Sequence, residues 1–154
     1  MFLEKDVFSI VIESTPLISI DFIVKDENRK VLLGKRVNRP AQGYWFVPGG
    51  RIVKDETLQD AFKRITNDEL GIEYDISEGK FLGVYQHFYD DNVFTEDFST
   101  HYVVLGFEIV MKSESNFGTI QHSNYKWFEI DELLTSDQVH QHPKDYFIQE
   151  KGIR

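Results

Sequence analysis

Pro48-Gly-Gly-Arg-Ile-Val-Lys-Asp-Glu-Thr57, continued by Leu58-Gln-Asp-Ala-Phe-Lys-Arg-Ile-Thr-Asn-Asp-Glu-Leu-Gly-Ile72, decides the fold. The Gly-Gly turn lets the backbone bend sharply and bare its N–H and C=O groups. The second part is the longest helical pattern of the chain, running over residues 57–70. Asp55 or Glu56 stands where an N-cap belongs, and Gly71 where a C-terminal cap glycine belongs. Leu58, Ala61, Phe62 and Ile65 fall on one apolar stripe. With Leu58 set at zero, helix geometry puts Phe62 at about +40°, Ile65 at about −20° and Glu69 at about +20°. A carboxylate in the middle of that stripe faces the body of the protein. Buried alone, it costs several kcal/mol or takes up a proton. A metal ion or an arginine is the usual remedy, and from the last turn the side chain can also reach back to solvent. A Gly-rich turn leading into a helix with an inward carboxylate fits a divalent-metal and phosphate site.

Outward from this stretch, strands and helices alternate. Apolar spacing predicts a short helix over 5–14. The β-branched run from Leu17 to Val24 reads as a strand, followed by a turn over Lys25–Lys30 and a second strand over Val31–Arg36, together a hairpin. A short strand is expected at Tyr44–Val47. Further strands are expected at Phe81–His87, Tyr102–Met111 and Tyr125–Phe128, with a polar loop over Lys112–Asn124. The end reads as helical over Ile130–Leu134 and Tyr146–Lys151. Strands before, between and after helices imply an α/β fold with a mixed sheet covered on both faces. No repeat, low-complexity tract or linker divides residues 1–154, so one domain is expected.

Composition narrows the function. The chain carries 26 acidic and 17 basic residues, a net charge of −9. That excludes a broad basic surface for nucleic acid, but not a small phosphate ligand held by a few arginines and a metal. Thirteen Phe, seven Tyr and two Trp argue against a disordered acidic chain. The absence of cysteine rules out disulfides, thiolate metal sites and thiol catalysis. No apolar run reaches membrane-span length and no secretory signal is visible at the N-terminus, so a cytoplasmic protein without membrane attachment is expected.

The opening stretch also resembles the Nudix box, G-x5-E-x7-R-E-U-x-E-E-x-G-U, where U is a bulky aliphatic residue. Gly50, Glu56, Arg64, Glu69, Gly71 and Ile72 match it at the right spacing. Ile65 replaces the Glu after Arg64, Thr66 replaces the aliphatic residue, and Asp68 replaces the first Glu of the pair. These departures resemble one branch of the family, the GDP-mannose mannosyl hydrolases. Ser14–Asp21, Leu33–Gly50, Gln86–Asn92, Thr100–Phe107 and Gln121-His122 carry that likeness. The resemblance implies a Nudix-type α/β/α sandwich. It implies hydrolysis of GDP-mannose, with GDP-glucose as a second substrate, by inverting attack of water on the anomeric carbon. It also implies one Mg2+ per subunit, replaceable by Mn2+, and a homodimer. Two alternatives stay open: an ordinary Nudix pyrophosphatase giving GMP and sugar 1-phosphate, and a nucleotide-binding domain without turnover.

By that resemblance, the metal ligands are the Gly49 carbonyl, the Glu69 carboxylate and the Gln121 side chain, an oxygen set that suits a hard cation. His122 is the expected general base, a role its pKa range fits. Arg36 and Arg51 are expected to stabilise the leaving diphosphate, with no second carboxylic acid needed. Glu56 and Arg64 are supporting residues, and Arg64 is also within helical reach of Asp60 and Asp68. Asp21, His87 and Tyr102 are expected to touch substrate. Asp21 is a lone acid in an apolar strand and needs a polar partner. Phe2, Leu3 and Phe8 are the expected apolar wall for the guanine base. Each of these aromatic and charged residues also has an ordinary structural reading, as a docked helix face, a satisfied core group or surface charge.

Overall fold

The computed structural model describes residues 2–111 and 122–154, the side chains of 122–124 excepted. The expected polar loop therefore lies outside the described residues up to position 121, and 122–124 prove to be strand. Helix α1 covers Lys5–Ser14 and strand β1 covers Leu17–Lys25. Then come β2 (Val31–Arg36), β3 (Trp45–Phe46) and β4 (Gly49–Arg51). Helix α2 spans Leu58–Leu70. Strands β5 (Lys80–Tyr89), β6 (Thr100–Val110) and β7 (His122–Phe128) follow. The chain ends with α3 (Ile130–Thr135), α4 (Gln141–Asp145) and a 3-10 turn at Gln149–Lys151.

Seven strands among the described residues form one mixed sheet, ordered β3-β2-β1-β6-β5, with β4 on β1 and β7 on β2. β1 is central. Its sequence is apolar almost without alternation because both its faces are covered. Ile20, Phe22 and Val24 point towards α2, where they pack with Phe62, Ile65 and Leu70. Ile23 points the other way, into a second core with Tyr85, Leu133, Val139 and Tyr146. The result is an α/β sandwich.

The expected hairpin forms, but β1 and β2 meet only at Lys25↔Val31 and then part. The chain over 45–51 fills the opening: β3 pairs with β2 at Gly34↔Phe46, and β4 pairs with β1 at Asp21↔Gly49. β4 was not expected from the sequence, which suggested only a turn at the two glycines. The candidate site lies in this opening.

Three other expectations change. Thr57 caps α2 rather than Asp55 or Glu56, its hydroxyl accepting from the Asp60 amide at 3.1 Å. Glu56 is instead drawn to Arg64. Leu58 is 43% exposed and drops off the apolar stripe, while Thr66 is buried on it. Of the helix expected over 146–151 only the 3-10 turn forms, while α4 ends before it at Asp145, because Ile148 takes an extended conformation and Tyr146 is drawn into the core. Gly71 does end α2 in the left-handed conformation, at φ 75°. No helix among the described residues is long and apolar enough to cross a membrane.

Candidate active site

A cavity of about 320 Å3 opens where β1 and β2 part. Phe2, Phe8, Asp21, Arg36, Gly49, Arg51, Arg64, Glu69, His87 and Tyr102 all line it, so most residues singled out in the sequence meet in one place. Leu3 and Glu56 are not among the lining residues. Gln121 lies outside the described residues. Only the backbone of His122 is described, paired with Arg36 across β7 and β2.

Glu69 is inward as the helical phase predicted, only 2% exposed. Burial pushes its carboxyl up to about 7, opposed by a hydrogen bond from the Gly49 backbone, by the Tyr125 hydroxyl and by the charge of Arg36. The Tyr125 hydroxyl lies 3.3 Å from Glu69 Oε2. The β1–β4 register explains the Gly49 contact. Phe22 N–H donates to the Pro48 carbonyl and Ile52 N–H to the Ile18 carbonyl, each at 2.8–2.9 Å. Gly49 stands between these pairs, so both its N–H and its C=O point away from β1. The carbonyl and the Glu69 carboxylate thus supply hard oxygen donors at one edge of the cavity, which fits a Mg2+-type ion. Among the described residues no group of three or more His, Cys, Asp or Glu is arranged to hold a metal.

Gly49 has no room to be anything else. A Cβ there would run into Asp21 Oδ1 and lie 2.7 Å from the Ile20 carbonyl. Gly49→Ala is expected to cost about 2 kcal/mol of stability through overpacking. Turnover should fall further than stability explains, and comparing the denaturation midpoint with kcat checks both.

The departures from the family box have structural causes. Ile65 is buried, and a Cβ on Gly50 would sit 3.1 Å from its side chain. The Thr66 hydroxyl donates to the Phe62 carbonyl at 2.8 Å and accepts from the Tyr74 amide at 3.0 Å, which ties down the chain after α2. Arg64 donates to Glu56 through Nε and Nη2, at 2.7 and 2.9 Å, and to the Arg51 carbonyl at 2.9 Å. Asp68 is 3.7 Å from Arg64. Arg64 therefore props the end of β4, where Arg51 sits. Arg64→Met is expected to lower stability by about 1–2 kcal/mol, the loss of charge-assisted hydrogen bonds. It should raise KM for the phosphate-bearing ligand about tenfold, read from steady-state kinetics beside a melting curve.

The cations are fixed as well. Arg36 Nε donates to the Pro40 carbonyl at 2.7 Å, and its guanidinium lies 5.7 Å from the Phe46 ring centroid. Its charge acts on Asp21, Glu69, Tyr89 and Tyr102 together. Arg51 lies 4.7 Å over the Phe8 ring. α1 thus supplies a platform for an arginine that lines the cavity.

Asp21 is 6% exposed, and burial pushes it up to about 7 against the Tyr146 hydrogen bond and the Arg36 charge. His87 is pushed down to about 2 by burial and by His142 and His140, and is neutral near pH 7. Tyr89, Phe46 and Pro40 line the cavity too and were not singled out beforehand. The strand runs on to Tyr89, beyond the expected end at His87, and two residues along a strand put Tyr89 on His87's face.

The NUDIX domain profile matches residues 15–150. The low-salt glycan biosynthesis protein Agl8 of Haloferax volcanii is 40% identical over 124 residues, 80% of this chain and 78% of that protein. An ADP-ribose pyrophosphatase of Methanocaldococcus jannaschii is 36% identical over 70 residues, 46% of this chain and 40% of that protein. The MutT protein of Methanosarcina mazei Go1 superposes with a TM-score of 0.70 at 20% identity, covering 87% of this chain and 92% of that one. The NUDIX domain of Shewanella oneidensis NrtR, solved with ADP ribose, superposes at 0.65 and 20% identity, covering 94% and 90%. At these identities the solved structures speak for the fold alone.

Proposed function

The chain belongs to the NUDIX family, and from that premise we propose that residues 1–154 form one hydrolase domain that cleaves GDP-mannose, and GDP-glucose more broadly, to GDP and free sugar. Water attacks the anomeric carbon from the face opposite the diphosphate. The bond from that carbon to the phosphate oxygen breaks, the electron pair leaves with GDP, and the configuration inverts. His122 takes the water's proton.

Ile65 is the observation that carries this reading. It is buried at the position where the family box places a glutamate, and its side chain packs at Gly50. α2 therefore presents one buried carboxylate, Glu69, to the cavity, and the half-exposed Asp68, which also lines it, lies near Arg64. A sparse anionic set suits a leaving group that needs its charge neutralised more than it needs a proton. Arg36 and Arg51 face that charge, Arg36 held in place by Pro40 and Arg51 over Phe8. When bound through Gly49, Glu69 and Gln121, Mg2+ or Mn2+ would supply further positive charge to the diphosphate. The backbone pairing of His122 with Arg36 supports a joint role for the two residues. Asp21, His87, Tyr102, Phe2 and Phe8 all line the cavity, which supports assigning the first three to the sugar and the two phenylalanines to the base. The glycan-biosynthesis relative supports a nucleotide sugar as substrate. We further propose that the protein works as a homodimer in the cytoplasm.

The pyrophosphatase relative favours a second reading, cleavage of the P–O–P bridge. Incubation with GDP-mannose and Mg2+ separates the two. GDP and mannose support the proposal, and GMP with mannose 1-phosphate supports the alternative. Binding without any product marks a nucleotide-binding domain.

A further inference from the structure

Behind Asp21 and His87 lies the C-terminal segment, none of whose described side chains lines the cavity. The Tyr146 hydroxyl donates to Asp21 Oδ2 at 2.5 Å and stands 3.5 Å from His87 Nε2. A hydroxyl has one proton, and Asp21 has it, so towards His87 the Tyr146 oxygen can only accept. His142 holds the face of the same imidazole. The two rings stack with centroids 4.1 Å apart and planes 6° from parallel. His142 Nε2 is itself 3.3 Å from the Phe88 carbonyl. The Tyr146 ring packs against Tyr85 at 4.5 Å. Gly106 makes room for both, since a Cβ there would come within 3.0 Å of each ring.

This arrangement fixes which atoms face the cavity. Asp21 Oδ2 is engaged behind the wall. Oδ1, the oxygen Tyr146 does not engage, lies beside Gly49, which lines the cavity. A carboxylate free to turn would accept a sugar hydroxyl at either of two positions and treat epimers alike. One pinned through Oδ2 offers a single hydrogen-bonding oxygen, and the wrong epimer leaves buried polar groups unpaired. We propose that Tyr146 is a positioning residue that acts from behind the cavity wall to hold Asp21 and His87 as a reader of hydroxyl configuration on the sugar. The proposal rests on the nucleotide-sugar reading above. Tyr146 touches no ligand itself.

Tyr146→Phe keeps the ring in place and removes only the hydroxyl. The probes are GDP-mannose and GDP-glucose, which differ at one hydroxyl, and GDP, which has no sugar. Affinity is measured by calorimetry and turnover by release of GDP. The preference between the two sugars, taken as the ratio of kcat/KM, is expected to move towards one by about tenfold. Affinity for GDP and the midpoint of Mn2+ activation are expected to stay within about twofold. Ile109→Ala, which empties core beside Val24, serves as a destabilised control whose ratio stays in place. An unchanged ratio in Tyr146→Phe, an equal change in Ile109→Ala, or a wild type that treats both sugars alike overturns the proposal. If the wild type binds both sugars and cleaves neither, the hydrolase reading fails by itself, and the ratio of dissociation constants decides the role of Tyr146 in the same way. A wild type that binds neither overturns both.

Discussion

Glu69→Gln is expected to lower turnover about a thousandfold, the scale on which a metal's contribution to charge stabilisation is lost. The change is nearly isosteric and keeps an oxygen beside the Gly49 amide, so the fold should survive. The carboxyl is pushed up to about 7 by burial. Proton and metal then compete for it, and Mn2+ affinity in the wild type should weaken as pH falls below about 7. In Glu69→Gln that pH dependence should flatten along with the loss of affinity. Mn2+ titration at several pH values checks both. An unchanged midpoint and slope would remove Glu69 from the metal site.

The second large effect is on stability. Asp21 is pushed up to about 7 in the folded chain from 3.8, chiefly by burial. Between those values the folded state holds a proton that the unfolded state has released. The stabilising contribution of this group is therefore complete below pH 3.8 and is lost as pH rises towards 7. Asp21→Asn removes the titration while still accepting from Tyr146. Its stability relative to wild type should climb by about 2–4 kcal/mol between pH 4 and 8. Turnover should fall in the same variant, since the cavity-side oxygen is lost as an anion. Denaturant melts across that range test the sign. A stability gap that shrinks with rising pH would contradict it.

Both predictions concern acids that stood out in the sequence for the same reason: each breaks an apolar period. Glu69 interrupts a helical stripe and Asp21 an apolar strand, and a buried acid cannot be there by hydrophobic logic. Local periodicity also placed β1, β2, α1 and the span of α2 closely. It failed where long-range contacts decide. β4 is three residues, Gly-Gly-Arg, with no strand character of its own, and exists because β1 offers an edge once β2 departs. Tyr146 pairs with an aspartate 125 positions away, and no spacing rule reaches that far. The same pull ends the helix expected around it. No spacing in the sequence links His142 to His87, and only the fold stacks the two rings. Thr57 overtook Asp55 and Glu56 as the cap because Arg64, eight residues further along the chain from Glu56, engages that carboxylate.

The claim that joins these observations is that the bond cut lies between the anomeric carbon and oxygen. Hydrolysis of GDP-mannose in water enriched in heavy oxygen, followed by mass analysis of both products, tests it most directly. Attack at the anomeric carbon puts the label in mannose and leaves GDP unlabelled. Label in a phosphate group, with GMP or sugar phosphate as product, would contradict it.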